Sequence, residues 1–521
     1  MPIYGPPIGD LKPTDMAGLL NNGLAAHPDE IALASTKNSW TWRQLDHASN
    51  RYAAHLVSRG VRKGDRVASL MPNRDVLVVH YLACLKAGFV CVPLNYRYTA
   101  LEIDYALSLT GAHILLAHVD RADDLATSNY VDELPLGVVR YGAGEGDDSF
   151  EAMLEKEAPP VEMPSPSPGD LAIIFFTSGS TGKPKGVMHS FETLGWITAI
   201  WAHTYGLEDS DVMLGASSMS HIGAFGNTLG ALSVGAKALV ARTFDPDEVL
   251  SLFRSYGPSW LNMLPAALFG VVRNRHAHPD DFKTLRYCTA AGDKIVDELK
   301  SKFAEMTGVP IAEGYGMSEL GFVSMASLSG SKKTGSVGRT VIGSILSIRS
   351  DAGDEVSTGT EGRLWVKSPS ATIGYWDNPN ATAETIVDGW LDTGDLMKVD
   401  VDGDLWFCGR KKQIIVHDGS NISPQEVEES LIAHSAVTSA GAVGVHDLVH
   451  GENVWAYVEL TDDGEQPDGQ ELIAFSRARI GYKAPEVIVF VDQMPMNATG
   501  KVDRATLKHW AAERHDVEIS H

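Results

Sequence analysis

Between residues 65 and 95 the chain reads DRVASLM, then VLVVHYLACLKAG, then FVCVPLN, with almost nothing in between. The outer two segments are short apolar runs of strand length, and the middle one is long enough for a helix. A strand, a helix and a strand in immediate succession leave no hairpin, so the two strands must run parallel through a crossover. A parallel sheet of that kind needs cover on both faces, which constrains the whole architecture to layered α/β. The segment before it, WTWRQLDHASNRYAAHLVSRG, is amphipathic, and Gly60 is suited to close that helix. The rhythm returns at 211–242, where VMLGAS and AKALVAR flank a small-residue helix near GAFGNTLGAL. Two such sheet units are expected, joined by the proline- and acid-rich linker EAPPVEMPSPSPGD at 157–170.

From 335 to 408 the texture shifts to short, glycine-punctuated strands such as EGRLWVKS, as in a small β-rich subdomain. After Gly409 it shifts again. Ser423-Pro424-Gln425-Glu426 reads as a capping box with proline at the first helical position, opening a helix to about His434. Strands AGAVGV and VWAYVEL, a helix near ELIAFSRARI and a strand VIVFV complete an α+β unit of domain size. The expected division is therefore a large N-terminal domain over 1–409 and a C-terminal α+β domain over 410–521.

The net charge of −24 argues against nucleic acid as a partner, because phosphates would be repelled. A small anion held in a local basic pocket is still compatible with it. Cys84, Cys91, Cys288 and Cys408 lack metal-like clustering and read as thiols in a reducing compartment. The start, MPIYGPPIGDLKP, has no signal-peptide pattern, and no window approaches twenty apolar residues. These features predict a cytoplasmic chain with no integral membrane segment, for which a homodimer is compatible.

The apolar run LAIIFF leads directly into TSGSTGKPK at 177–185. Two glycines, four hydroxyl residues and two lysines suit a phosphate cradle. Glycines let backbone N–H groups converge on an anion, hydroxyls donate hydrogen bonds, and lysines supply charge. The spacing is not that of a Walker A loop, and Pro184 follows Lys183. Four further segments follow in order: EGYGMSE (313–319), WLDTGDL (390–396), GRKKQIIVHDGSNISPQEVE (409–428) and NATGKVDR (497–504). Together with LKAGFVCVPLNYRYTALEI upstream, they resemble the motifs of the adenylate-forming superfamily, and the resemblance spans nearly the whole chain.

The resemblance implies a two-step reaction that uses ATP, Mg²⁺ and CoA. A carboxylate attacks the α-phosphorus to give acyl-AMP and pyrophosphate, and a thiol then displaces AMP. Carried over by motif, Thr177, Ser178, Gly179, Ser180, Thr181, Gly182, Lys183 and Lys185 would hold the β- and γ-phosphates. Glu319 would be the Mg²⁺ carboxylate, Ser318 the α-phosphate contact and Tyr315 the ring stacked on adenine, within the segment begun by Glu313 and Gly314. Asp395 would accept both ribose hydroxyls, which an ionised carboxylate can do at once, and Arg410 would reach the same nucleotide. Lys501 would bridge the carboxylate and the α-phosphate. Lys412 would be a hinge about which a mobile C-terminal domain turns between the two steps. His417, Asp418 and Gly419 would border the CoA channel, and His221 would lie beside the acid being activated.

Two stretches depart from the family pattern. Ala291-Gly292-Asp293-Lys294-Ile295 carries two charges where the family is apolar, although Gly292 survives at the adenine side. Asp418-Gly419 replaces the usual Gly-Gly. The acyl pocket is expected from His221, Gly223, Ala224, Gly316 and Met317, small or flexible residues suited to an apolar slot. The expected activity is acyl-CoA synthesis from a fatty or other largely apolar acid. An aryl acid is the alternative substrate, and an amine or carrier protein the alternative acceptor.

Overall fold

The computed structural model describes residues 2–519 except 145, 147, 178–183, 243–244, 291–294, 296, 329–332, 411–412, 418–419, 448–450, 462–465 and 498–499. Three sheets organise it. The first has seven strands in the order Gly374–Tyr375, Lys185–Ser190, Leu171–Thr177, Val90–Leu94, Arg66–Leu70, Ile114–His118, Val138–Tyr141. The strands from Leu171–Thr177 to Val138–Tyr141 run parallel, as the opening strand–helix–strand pattern requires. Helix Asp75–Ala87 is apolar on nearly every side because it is covered on every side. It lies between the first two sheets, where the Tyr81 hydroxyl donates to the Met219 carbonyl at 3.2 Å. Residues of both sheets consequently share one core, including Val67, Cys91, Ala172, Met213 and Trp260.

The linker reading of 157–170 fails. Leu171–Thr177, just beyond it, joins the same sheet as Val90–Leu94, with Ile173 opposite Cys91. The segment is therefore a connection within one sheet rather than a boundary between two. The glycine-punctuated region is the β-rich part expected, with antiparallel strands around a core of its own that includes Leu346, Leu364, Leu391 and Met397. Its strands continue the second, 15-stranded sheet through Ile311–Met317, Gly321–Met325 and Ser336–Thr340. Parallel pairing prevails from Ile31–Ala34 to Ile311–Met317 and gives way to antiparallel hairpins beyond.

The C-terminal unit holds a five-stranded sheet with helices Pro424–Ile432, Gly469–Ile480 and Arg504–Ile519. Proline opens the first helix as expected, but the capping box does not form. The Ser423 hydroxyl donates to Gln425 Oε1 at 3.0 Å, and Glu426 is drawn to Lys483 at 2.7 Å. Long-range charge pairing outcompetes the local cap.

Two core histidines make the fold acid-sensitive. His80 and His189 are fully buried, and burial pushes their imidazoles down to about 3 and about 4. The unfolded chain takes up these protons near pH 6.5, whereas the folded chain resists them. Stability is therefore full above pH 6.5 and falls as pH drops towards 4, by ~1.4 kcal/mol per pH unit for each histidine. Denaturant titrations at pH 7, 6 and 5 check this. His80→Phe should flatten the slope.

Candidate active site

Strands Leu171–Thr177 and Lys185–Ser190 form an antiparallel hairpin with Thr177 opposite Lys185. The phosphate-loop residues Ser178, Gly179, Ser180, Thr181, Gly182 and Lys183 fall between these strands in sequence and lie outside the described residues, as do Gly292, Lys412, Asp418 and Gly419. Thr177 and Lys185 open onto a cavity of about 1170 Å³ at the junction of the two large sheets. Around that cavity the structure brings together His221, Gly223, Gly316, Met317, Ser318, Glu319, Arg410 and Lys501. Residues almost three hundred positions apart thus face one volume; Arg410 ends the strand Leu405–Arg410 of the 15-stranded sheet, whereas Lys501 comes from the unit built on the five-stranded sheet.

Lys501 lies close enough to His221 for its charge to act on the ring. Burial and, after it, Lys501 push the imidazole down to about 4, so His221 is neutral at physiological pH. Asn95 fixes the tautomer. Its Oδ1 accepts from the Arg97 N–H at 2.9 Å, which turns Nδ2 toward His221 Nε2 at 3.1 Å. Nε2 is therefore an acceptor, and Nδ1 carries the proton.

Glu319 is a buried carboxylate, 6 % exposed, and burial raises its pKa. The Tyr375 hydroxyl donates to Oε1 at 2.9 Å. The preceding residue is held from below, where neutral His189 donates through Nε2 to the Ser318 carbonyl at 2.8 Å. Among the described residues no group of three or more histidine, cysteine or acidic side chains could hold a metal alone. A single carboxylate beside a phosphate loop nonetheless suits Mg²⁺, which keeps waters and takes its other ligands from phosphate.

Asp395 sits opposite Arg410 in an antiparallel pair, which is why a glycine-turn aspartate and an arginine fifteen residues later meet. Arg410 Nε donates to Oδ1 at 2.8 Å, and the Tyr315 hydroxyl donates to Oδ2 at 2.6 Å. Asp395 is only 1 % exposed, beneath Thr393 and Gly394, which do line the cavity. Each of its oxygens already takes one bond, so only the remaining lone pairs are left for a further donor.

Tyr315 differs from expectation. It is buried against Leu320 and Val323, with Phe407 at 6.2 Å, and is not among the cavity-lining residues. Glu313 and Gly314 also stand back from the cavity. Glu313 pairs with Lys300 at 2.5 Å, and a Cβ on Gly314 would meet Met325 Cε at 2.7 Å. Gly316 is required by close approach, because a Cβ there would lie 2.4 Å from the Gly321 carbonyl oxygen. Ala224 does not line the acyl pocket but is fully buried in the shared core. His417 is turned away onto its own sheet, with Nδ1 2.7 Å from the Glu452 carbonyl and Nε2 3.5 Å from Glu486.

Sequence reasoning missed three participants, Trp201, Phe322 and Tyr375. Trp201 and Phe322 lie on the cavity wall with ring centroids 3.9 Å apart. The Trp201 indole donates to Asn227 Oδ1 at 2.7 Å, and a Cβ on Gly226 would touch its ring at 2.9 Å. The hint in the sequence is Gly226 in GAFGN, which leaves room for a large ring on the facing helix.

Comparison with known proteins follows the same lines. Residues 20–376 match the family of AMP-binding enzymes, and residues 426–501 match the AMP-binding enzyme C-terminal domain. A feruloyl-CoA synthase of Amycolatopsis sp is 32% identical over 480 residues, covering 91% of this chain and 94% of that one. A long-chain-fatty-acid–CoA ligase of Bacillus subtilis is 29% identical over 537 residues, 96% of each chain. Among solved structures, an anthranilate CoA ligase in complex with anthranoyl-AMP aligns with TM-score 0.88 at 26% identity, covering 97% of this chain and 98% of that chain. ATP-bound MatB from Rhodopseudomonas palustris aligns with TM-score 0.86 at 26% identity, covering 96% and 98%. With its two family segments in order and its motifs gathered at one cavity, the chain belongs to the AMP-binding enzymes, the adenylate-forming superfamily of acid–thiol ligases.

Proposed function

We propose that this enzyme joins a compact, ring-bearing carboxylic acid to CoA through an acyl-adenylate. The observation that carries the substrate class is the Trp201–Phe322 wall. A fatty-acid slot must continue past the first several methylenes. Here the cavity lining combines Ile222, Gly223, Leu264 and Met317 with the Trp201 and Phe322 rings, whose centroids lie 3.9 Å apart with planes tilted by 31°. A flat acid stacks favourably on such a wall, with ~0.5–1.5 kcal/mol beyond area burial. Asn262 adds one polar group to the same lining, suited to a ring substituent. The relatives named for feruloyl, 3-hydroxybenzoate or 4-hydroxybenzoate, and 2-succinylbenzoate substrates support this reading.

In the first step the substrate carboxylate attacks the α-phosphorus of ATP and pyrophosphate leaves. Lys501 holds the two anionic groups together, and neutral His221 borders the acid without adding charge. Lys185 and the loop residues take the β- and γ-phosphates. Asp395 uses its remaining lone pairs for the ribose, oriented by Arg410 and Tyr315. Glu319 would hold Mg²⁺, which would supply charge neutralisation at the phosphates. In the second step the CoA thiol attacks the acyl carbon and AMP leaves.

Specificity constants for benzoic, cinnamic, hexanoic and hexadecanoic acids test the substrate class. Ring acids should lead, and a steady rise through the long chains would overturn the reading. Trp201→Ala should raise the preference for an acid longer by two or three methylenes about 15- to 60-fold, at ~0.8 kcal/mol per newly buried CH₂. Trp201→Phe, a milder change, should move the profile the same way by less. Both are measured against unchanged Michaelis constants for ATP.

A further inference from the structure

Tyr375 belongs to none of the motifs that carry the family resemblance. It lies on the two-residue strand Gly374–Tyr375 at the edge of the seven-stranded sheet, paired with Val187 of the phosphate-loop hairpin. Glu319, which its hydroxyl bonds, follows the strand Ile311–Met317 of the other large sheet. The face of the same ring carries a second group, with Lys185 Nζ 4.8 Å from the centroid. One side chain therefore touches the phosphate-side lysine with its face and the buried carboxylate with its edge.

The tyrosine is itself well fixed. Its backbone N–H donates to Thr382 Oγ1 at 2.9 Å. The preceding Gly374 has φ +132° and is packed on Thr382, a conformation open to glycine. Thr372, three residues earlier, ties the two sheets in the same place. Its N–H donates to the Glu319 carbonyl at 2.7 Å, and its hydroxyl donates to the Met188 carbonyl at 2.6 Å. The backbone frame thus stands without the phenol, and the phenol adds side-chain orientation. A hydrogen bond to Oε1 orients the carboxylate while leaving it lone pairs for a cation. A ring under Lys185 restrains an ammonium on a flexible stem.

We infer that Tyr375 is a positioning residue that sets the metal-binding carboxylate and the phosphate-binding lysine at a fixed separation across the two sheets. The inference rests on the proposed reading of Glu319 as the Mg²⁺ ligand. Tyr375→Phe keeps the ring under Lys185 and removes only the donor to Glu319, whereas Tyr375→Leu removes both.

The test measures Mn²⁺ binding by electron paramagnetic resonance in the presence of ATP, and metal-free ATP binding by calorimetry, on the full-length protein. Tyr375→Phe should lose about tenfold in Mn²⁺ affinity, the order for one hydrogen bond to a charged group, with metal-free ATP affinity unchanged. Tyr375→Leu should show that loss together with a severalfold loss of metal-free ATP affinity. Wild-type Mn²⁺ affinity in Tyr375→Phe, beside impaired binding in Glu319→Gln, would overturn the positioning role alone. Unchanged Mn²⁺ affinity in Glu319→Gln would overturn the metal-ligand reading and the inference with it. Equal losses in Phe and Leu, both recovered when corrected for the folded fraction, would leave Tyr375 purely structural and overturn the inference.

Discussion

Replacing Lys501 by alanine is expected to slow acyl-adenylate formation by about 10²–10³-fold, the order for deleting one preorganised electrostatic group. Transfer of supplied acyl-AMP to CoA should be largely retained. The carboxylate and the α-phosphate both bring negative charge to the reacting centre, and Lys501 is the C-terminal-domain cation that lines their cavity. Once the adenylate exists, that juxtaposition of anions is over and the lysine is dispensable. The arrangement of the two domains fits the first step, since Lys501 lines the cavity while His417 is bonded to Glu452 on its own sheet. Thioester formation would then require the C-terminal domain to turn, with the proposed hinge at Lys412. Proline fixes φ near −65° and cannot make such a turn. Lys412→Pro should therefore keep pyrophosphate release and lose transfer to CoA, the opposite of Lys501→Ala. Rapid-quench assays of each half-reaction separate the two. Equal loss of both steps in both variants would mean that one arrangement serves the whole reaction.

The second large effect is expected at Asp395. Removing its carboxylate in Asp395→Ala takes the acceptor from Arg410 and from Tyr315 at once. Each bond to a charged group is worth about 1.5–3 kcal/mol. Because Tyr315 is buried, its phenol loses its charged acceptor where water does not readily replace it. Arg410 is 42 % exposed and recovers part of its share from solvent. The Michaelis constant for ATP should rise ten- to a hundredfold, and the N-terminal domain should unfold at lower temperature. Asp395→Asn, which keeps the shape, should restore stability more than nucleotide affinity, because a neutral amide is a weaker acceptor for Arg410. Wild-type ATP kinetics in Asp395→Ala would remove the residue from the site.

Much of this was legible in the sequence, for reasons that differ by feature. Local periodicity announces Asp75–Ala87 and its flanking strands, because a buried helix and two buried strands each carry a distinct run of apolar residues. The same local signal cannot say which strands pair. The proline-rich 157–170 stretch looks like a domain boundary, yet Ile173 lies beside Cys91, eighty-two positions earlier. The motif residues were legible as chemistry but not as contacts. The bond from Tyr315 to Asp395 depends on the fold of the intervening eighty residues. Trp201 and Tyr375 gave no sequence signal of their own. A tryptophan on an apolar helix and a tyrosine after glycine are ordinary core residues until Phe322, Asn227, Lys185 and Glu319 are brought against them.

The most direct test of the central claim, that one cavity runs both steps through an acyl-adenylate, is a single-turnover experiment. Enzyme in excess is mixed with a ring acid and Mg²⁺–ATP, quenched, and examined for enzyme-bound acyl-AMP. A parallel sample is chased with CoA. The predicted result is near-stoichiometric acyl-AMP and pyrophosphate without CoA, converted on the chase to acyl-CoA and AMP. Formation of ADP and phosphate, or acyl-CoA appearing with no acyl-AMP before it, would contradict it.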